Sequence, residues 1–123
     1  MTAVPGKGIV LFGHGSRDPL WRLPMETVAA RVRAMQPQVP VRCAYLELDS
    51  PDLATAAGEL VANGAAAITV VPMFLGTGRH AREDLPALVE DLRQRFPAVA
   101  FSLQPPVGED PRVVELLAKI ALE

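Results

Sequence analysis

The sequence is poor in the residues that most often announce a mechanism. Its 123 residues include one cysteine, two histidines, one tryptophan and one tyrosine, and aromatic residues make up only 5%. A lone cysteine, Cys43, cannot close an internal disulfide, so a reducing cytoplasm is the expected compartment and Cys43 reads as a small buried hydrophobe in a strand. No Cys-x-x-Cys and no His-x-x-x-His spacing occurs, which excludes a closed zinc site built from local motifs. No apolar run is long enough for a transmembrane helix, and the first residues lack a charged segment leading into an apolar one, so neither a membrane span nor a secretory signal is expected. Twelve Lys and Arg against 14 Asp and Glu give a net charge of −2 with no basic run, which argues against a nucleic-acid partner.

What is present is punctuation. Proline and glycine divide the chain into short apolar runs that alternate with amphipathic stretches. Gly8–Phe12 reads as strand 1 and stops at Gly13-His14-Gly15-Ser16. Helix 1 is expected from about Leu20, with Trp21, Met25, Val28, Val32 and Met35 on one face. Strand 2 is Val41–Leu46, after which Ser50 and Pro51 read as the N-cap and first residue of helix 2, ended by Asn63-Gly64. Strand 3 is Ala66–Val71, and helix 3 is expected near Glu83 with Leu85, Leu88, Val89, Leu92 and Phe96 as its stripe. Strand 4 is Ala98–Leu103, and Asp110-Pro111 caps helix 4, whose core face is Val113, Leu116, Leu117 and Ile120. The pattern predicts one α/β domain over 1–123, a four-stranded parallel sheet of order 2-1-3-4 with helices on both faces. Strand order then reverses between strands 1 and 3, and ligands of such sheets bind at the carboxyl ends beside the reversal.

Both histidines fall at that end. His14 follows strand 1, Glu47 follows strand 2 and His80 follows strand 3, evenly 33 residues apart. Two imidazoles and a carboxylate suit a divalent transition metal held in an open site, and both kinds of group can move protons near neutral pH. Each residue also has a plainer reading, as a solvated loop residue or, for Glu47 and nearby Asp49, a carboxylate facing water or a helix N-terminus. Arg17, Arg22, Arg79 and Arg82 lie close by, either as anion clamps or as loop charges paired with Asp18, Glu83 and Asp84. Met73, Phe74 and Leu75 are more apolar than an exposed loop requires, and fit either core beneath the loop or a surface for a flat ligand or a second subunit. Gly76–Ala81 fits G-x-G-x-x-A, but the next strand ends Ser102-Leu103-Gln104 without the acid that a nicotinamide dinucleotide needs. A phosphate cradle, and with it a small phosphate-ester hydrolase using the Gly13–Ser16 turn, remains a minor reading.

The stretches GHGSRDP at 13–19, YLEL at 45–48 and PMFLGTGRHAREDLP at 72–86 resemble the short-form sirohydrochlorin chelatases, class II tetrapyrrole chelatases that insert Co²⁺ for cobalamin or Fe²⁺ for sirohaem. The likeness spans nearly the whole chain. It implies a chelatase-like (flavodoxin-like) three-layer sandwich, a homodimer, no organic cofactor, and Co²⁺, Fe²⁺ or Ni²⁺ as a substrate. His14 and His80 match the family's metal-binding histidines, and Glu47 its active-site carboxylate. Longer relatives carry two such domains in one chain. By position, Arg17, Arg79 and Arg82 are expected to hold the substrate's peripheral carboxylates, with Met73, Phe74 and Leu75 against the ring and Ser16 also among the substrate-binding residues. A tetrapyrrole or metal carrier of the same fold, without catalysis, is the alternative.

Overall fold

Strand β1, Lys7–Gly13, is the centre of the sheet because its residues can be buried on both sides. Val10 and Phe12 point to one face, Ile9 and Leu11 to the other, and Val10 and Phe12 are almost wholly buried. The computed structural model describes residues 6–123, the side chain of His80 excepted. Residues 1–5, on which the expectation about a secretory signal falls, lie outside the described residues. β1 pairs in parallel with β2 (Val41–Tyr45) on one side and β3 (Ala67–Pro72) on the other, and β4 (Ala100–Leu103) joins β3. The order is β2-β1-β3-β4, as the sequence pattern predicts. Val10 stands opposite Arg42 and Val70, which sets the register across the three inner strands.

Helices α2 (Leu53–Ala62) and α3 (Arg79–Arg95) cover one face and form the main core with Val10, Phe12, Ile68, Val70 and Phe101. Leu60, Val89 and Leu92 are buried to within 1%, and each such side chain contributes about 1.5–3 kcal/mol relative to exposure. Helix α1 (Leu23–Met35) covers the β1–β2 half of the other face.

Four details differ from the sequence expectation. Helix α1 begins at Leu23, with Pro24 in its first turn, and its core stripe is Met25, Ala29 and Val32; Trp21, Val28 and Met35 are exposed. Ala29 faces the sheet at that turn, its small side chain allowing close approach, while Val28 and Met35 fall on the other side of the helix. Helix α2 is capped by Asp52 rather than Ser50: the Asp52 carboxylate accepts from the Thr55 N–H at 2.8 Å, while the Pro51 carbonyl accepts from the Tyr45 N–H and so extends the edge of β2. Helix α3 starts at Arg79, well before Glu83, and carries Pro86 inside it. Pro86 is exposed, so water can satisfy the carbonyl that its missing N–H leaves free.

The fourth difference is α4 (Pro111–Ala121). Asp110 caps it, its side chain accepting from the Arg112 N–H, as the Asp-Pro pair predicts. Its expected core face meets no core, however: Leu116, Leu117 and Ile120 are 58%, 41% and 55% exposed. The helix leans on the short 3₁₀ turn Val107–Glu109. The β3–β4 half of the α1 face is correspondingly open, with Ala67, Ala100 and Ser102 exposed and the Ser102 hydroxyl 3.3 Å from that of Thr69.

Candidate functional site

The parallel pairing of β1 and β2 does not stop where the strands do. Past Gly13 and Tyr45, the Leu46 N–H donates to the Gly13 carbonyl at 2.9 Å and the Glu47 N–H to the His14 carbonyl at 3.0 Å. This ladder sets His14 and Glu47 side by side at the carboxyl edge of the sheet. Gly15 follows with φ of 96°, packed so closely that a Cβ there would lie 1.7 Å from the Glu47 carbonyl oxygen. Only glycine fits both that backbone angle and that contact.

A cavity of about 530 Å³ opens above these loops, lined by His14, Leu46, Glu47, Gly78, Arg79, Ala81 and Asp84. His14 is half-buried, and its imidazole lies over the ring of Phe74 with centroids 4.3 Å apart and planes at 30°. Phe74 in turn meets Phe12 edge-on at 6.2 Å, so a column of core aromatics supports the imidazole from below. Glu47 is exposed at the rim. His80 occupies the first turn of α3, between Arg79 and Ala81, which both line the cavity; its side chain lies outside the described residues. Among the described residues no three metal-ligating side chains form a cluster.

The remaining expected residues are dispersed. Met73, Phe74 and Leu75 do not form one surface: Met73 packs on the α1 side of the sheet, Phe74 is 3% exposed beneath His14, and Leu75 is 69% exposed. Phe74 is therefore a support for the imidazole, too deep to meet a flat ligand. Arg79 pairs with Glu83 at 3.1 Å one turn along α3, in full solvent, where such a pair adds little stability. Arg82 lines a separate, mostly apolar cavity of about 450 Å³ with Leu85, Leu103, Pro105 and Thr77, whose buried hydroxyl has no hydrogen-bond partner among the described residues. Arg17 is exposed. The Ser16 hydroxyl accepts from the Asp18 N–H at 3.1 Å, so it is committed to its own turn. Arg22, another loop cation, is tied to both Asp49 and Glu26 at 3.1 Å.

Two residues with a bearing on the cavity were not singled out from the sequence as site residues. Asp84 lines it, one helical turn after His80, a spacing that could have marked it once α3 was known to begin at Arg79. Asp49, read there as a carboxylate facing water or a helix N-terminus, is nearly buried and bonded to the opposite loop. Behind the loops, burial pushes the Tyr45 phenol up to about 12, with the neighbouring Cys43, Glu26 and Asp49 adding to the shift, so it stays protonated at neutral pH. Burial likewise raises the thiol of Cys43, which is half-buried.

Residues 8–123 match the CbiX family. The chain belongs to that family. Among solved structures it is similar to a CbiX protein of Marinobacter aquaeolei VT8 ascribed to cobalamin (vitamin B12) biosynthesis, at 33% identity with a TM-score of 0.80, covering 94% of this chain and 93% of the other. It is 29% identical to the sirohydrochlorin cobaltochelatase of Saccharolobus solfataricus, over 91% of each chain. It is 32% identical to the sirohydrochlorin ferrochelatase of Bacillus subtilis over 89% of this chain but 42% of that one. The CbiX chain thus spans less than half the length of the longer curated relatives it matches. Among its described residues no helix is long and apolar enough to cross a membrane.

Proposed function

We propose that this chain inserts a divalent metal, Co²⁺ or Fe²⁺, into sirohydrochlorin. The observation that carries the reading is the shared cavity: His14 and Glu47 line it together at the switch point of the sheet, beside the turn of α3 that bears His80. Relatives of this fold bear the names of sirohydrochlorin cobalto- and ferrochelatases.

Insertion exchanges two pyrrole protons for one M²⁺, so the site must hold the ion loosely and take up protons as it leaves. Neutral imidazoles bind such an ion near neutral pH and can accept a proton once it has gone. His14 and His80 present the ion and receive the protons, while Glu47 completes the coordination or relays a proton at the rim. Arg17 and Arg79 meet the substrate's peripheral carboxylates, and Arg82 does so from the neighbouring cavity. No organic cofactor enters this scheme. The free Cys43 thiol suits a cytoplasmic setting.

The active form is a homodimer joined through α4. An 11-residue helix with no core contact is marginal by itself and needs tertiary packing. A second copy supplies it, placing the apolar face of α4 against the open β3–β4 face.

The test mixes Co²⁺ with sirohydrochlorin and follows the absorbance change for the wild type, His14→Ala and His80→Ala. The wild type is expected to exceed the buffer blank, and each variant to lose at least about tenfold in rate. Binding of the macrocycle without acceleration over the blank would make the protein a carrier; unchanged rates in both variants would remove the histidine mechanism.

A further inference from the structure

We infer that Asp49 is a positioning residue for metal binding: its carboxylate clasps the loop after β1 to the loop after β2 and so fixes His14 beside Glu47. The inference rests on the proposal that His14 presents the ion. Asp49 sits in an irregular loop whose neighbours Glu47, Leu48 and Ser50 are exposed, yet its own side chain is only 10% exposed. Both of its oxygens face the other loop. Oδ2 accepts from the Ser16 N–H at 2.9 Å, and Oδ1 accepts from Nη1 of Arg22 at 3.1 Å. These donors bracket the segment between His14 and α1. Arg22 is held in turn by Glu26 at 3.1 Å, so the clasp is anchored to the first turns of that helix.

The chain accepts a local cost to make this contact. Leu48 adopts φ of 65°, a left-handed conformation that leucine rarely takes, and the Asp49 N–H folds back onto the Glu47 carbonyl at 2.8 Å. A nearly buried carboxylate is tolerated only when paired, and here every pairing partner belongs to the His14 loop or the helix that follows it. Without Asp49, the backbone bonds from Leu46 and Glu47 to Gly13 and His14 and the Phe74 contact still hold His14 from below, but the segment from Ser16 to Arg22 loses its side-chain tie to the β2 loop. The main core, under α2 and α3, does not involve Asp49. Its loss is therefore expected at the metal, through a His14 free to shift, before it is felt in the fold. In metalloproteins, loss of a group that orients a ligand typically weakens metal binding about 10- to 100-fold.

The experiment titrates the full chain with Co²⁺ alone, reading the visible absorption of the bound ion, and separately measures insertion kinetics with sirohydrochlorin. Asp49→Ala is expected to weaken Co²⁺ binding and raise the KM for Co²⁺ by about 10-fold or more, with an altered absorption band and a KM for sirohydrochlorin within about twofold of wild type. Asp49→Asn keeps an acceptor for the Ser16 N–H and should recover most of the affinity. Should Asp49→Ala fail to fold, Arg22→Ala releases only one carboxylate oxygen and is expected to weaken Co²⁺ binding about threefold, with no change there overturning the clasp. Asp49→Ala with Co²⁺ affinity within about twofold of wild type, while His14→Ala loses it, also overturns the clasp and leaves the chelatase reading standing. Co²⁺ binding unaffected by His14→Ala refutes the metal role of His14, and the clasp falls with it.

Discussion

Gly15→Ala tests the contact on which the site's geometry depends, and Gly64→Ala supplies its control. Both glycines have φ of 96°, so a side chain at either meets the same backbone penalty, about 1–2 kcal/mol. Their surroundings differ. Nothing lies within 4 Å of a Cβ at 64, whereas at 15 it would sit 1.7 Å from the Glu47 oxygen and 2.9 Å from the Glu47 carbonyl carbon. Relieving that overlap drives the two loops apart and breaks the Glu47–His14 backbone bond and the Ser16–Asp49 bond, at roughly 1 kcal/mol each. Gly15→Ala should therefore cost about 3–4 kcal/mol and Gly64→Ala about 1–2 kcal/mol. Urea unfolding measures both, with the loss read as a shift in midpoint at constant slope. Co²⁺ titration should show affinity lost in the first variant and kept in the second. Equal destabilisation by the two substitutions would show that the loops do not press together as described.

Asp52→Ala should destabilise by about 1 kcal/mol at neutral pH, the usual value of an N-cap side chain. The Thr55 side chain first, and then the Thr55 N–H, hold the Asp52 carboxyl below the ordinary aspartate range by hydrogen bonding, so the stabilisation is present above an unfolded pKa of ~3.9 and disappears as pH falls through the lower folded value. Wild type and variant should converge in acid, and a difference that does not shrink as the carboxyl protonates would contradict the cap. Leu60→Ala, at a fully buried position of α2, should cost about 2–5 kcal/mol in the same unfolding assay; a loss under about 1 kcal/mol would place the core elsewhere. The double variant Leu117→Glu, Ile120→Glu should sediment as a monomer with its sheet intact by circular dichroism, and a dimer that survives it would rule α4 out as the interface.

Strand order and approximate positions were legible because Gly13 and Pro72 close β1 and β3, prolines flank the other two runs, and alternating helices permit few sheet orders. The shared placement of His14 and Glu47 followed from the same repeat, since successive strand ends return to one edge. Helix boundaries were less legible. Pro86 suggests a helix that starts just before it, whereas α3 carries that proline on its solvent side and begins at Arg79. Val113, Leu116, Leu117 and Ile120 have the spacing of a core face, but spacing records that a face is apolar and not what covers it. Met73–Leu75 is an unbroken apolar triplet in sequence, yet its side chains diverge to a core cluster, to the underside of His14 and to solvent. Asp49 was illegible for a related reason: its partners Ser16 and Arg22 come from the preceding βα unit, and no local pattern announces a bond across that distance.

The hydrogen bonds that run on from β1 and β2 into their loops also bear on when the site comes into being. Parallel neighbours can join only after the crossover between them has closed, so His14 and Glu47 meet as a product of tertiary assembly. A nascent chain leaving the ribosome holds isolated imidazole and carboxylate groups, and the cavity lacks its third wall until α3 has emerged and docked. The shared cavity thus arrives with the finished fold rather than with any fragment of it.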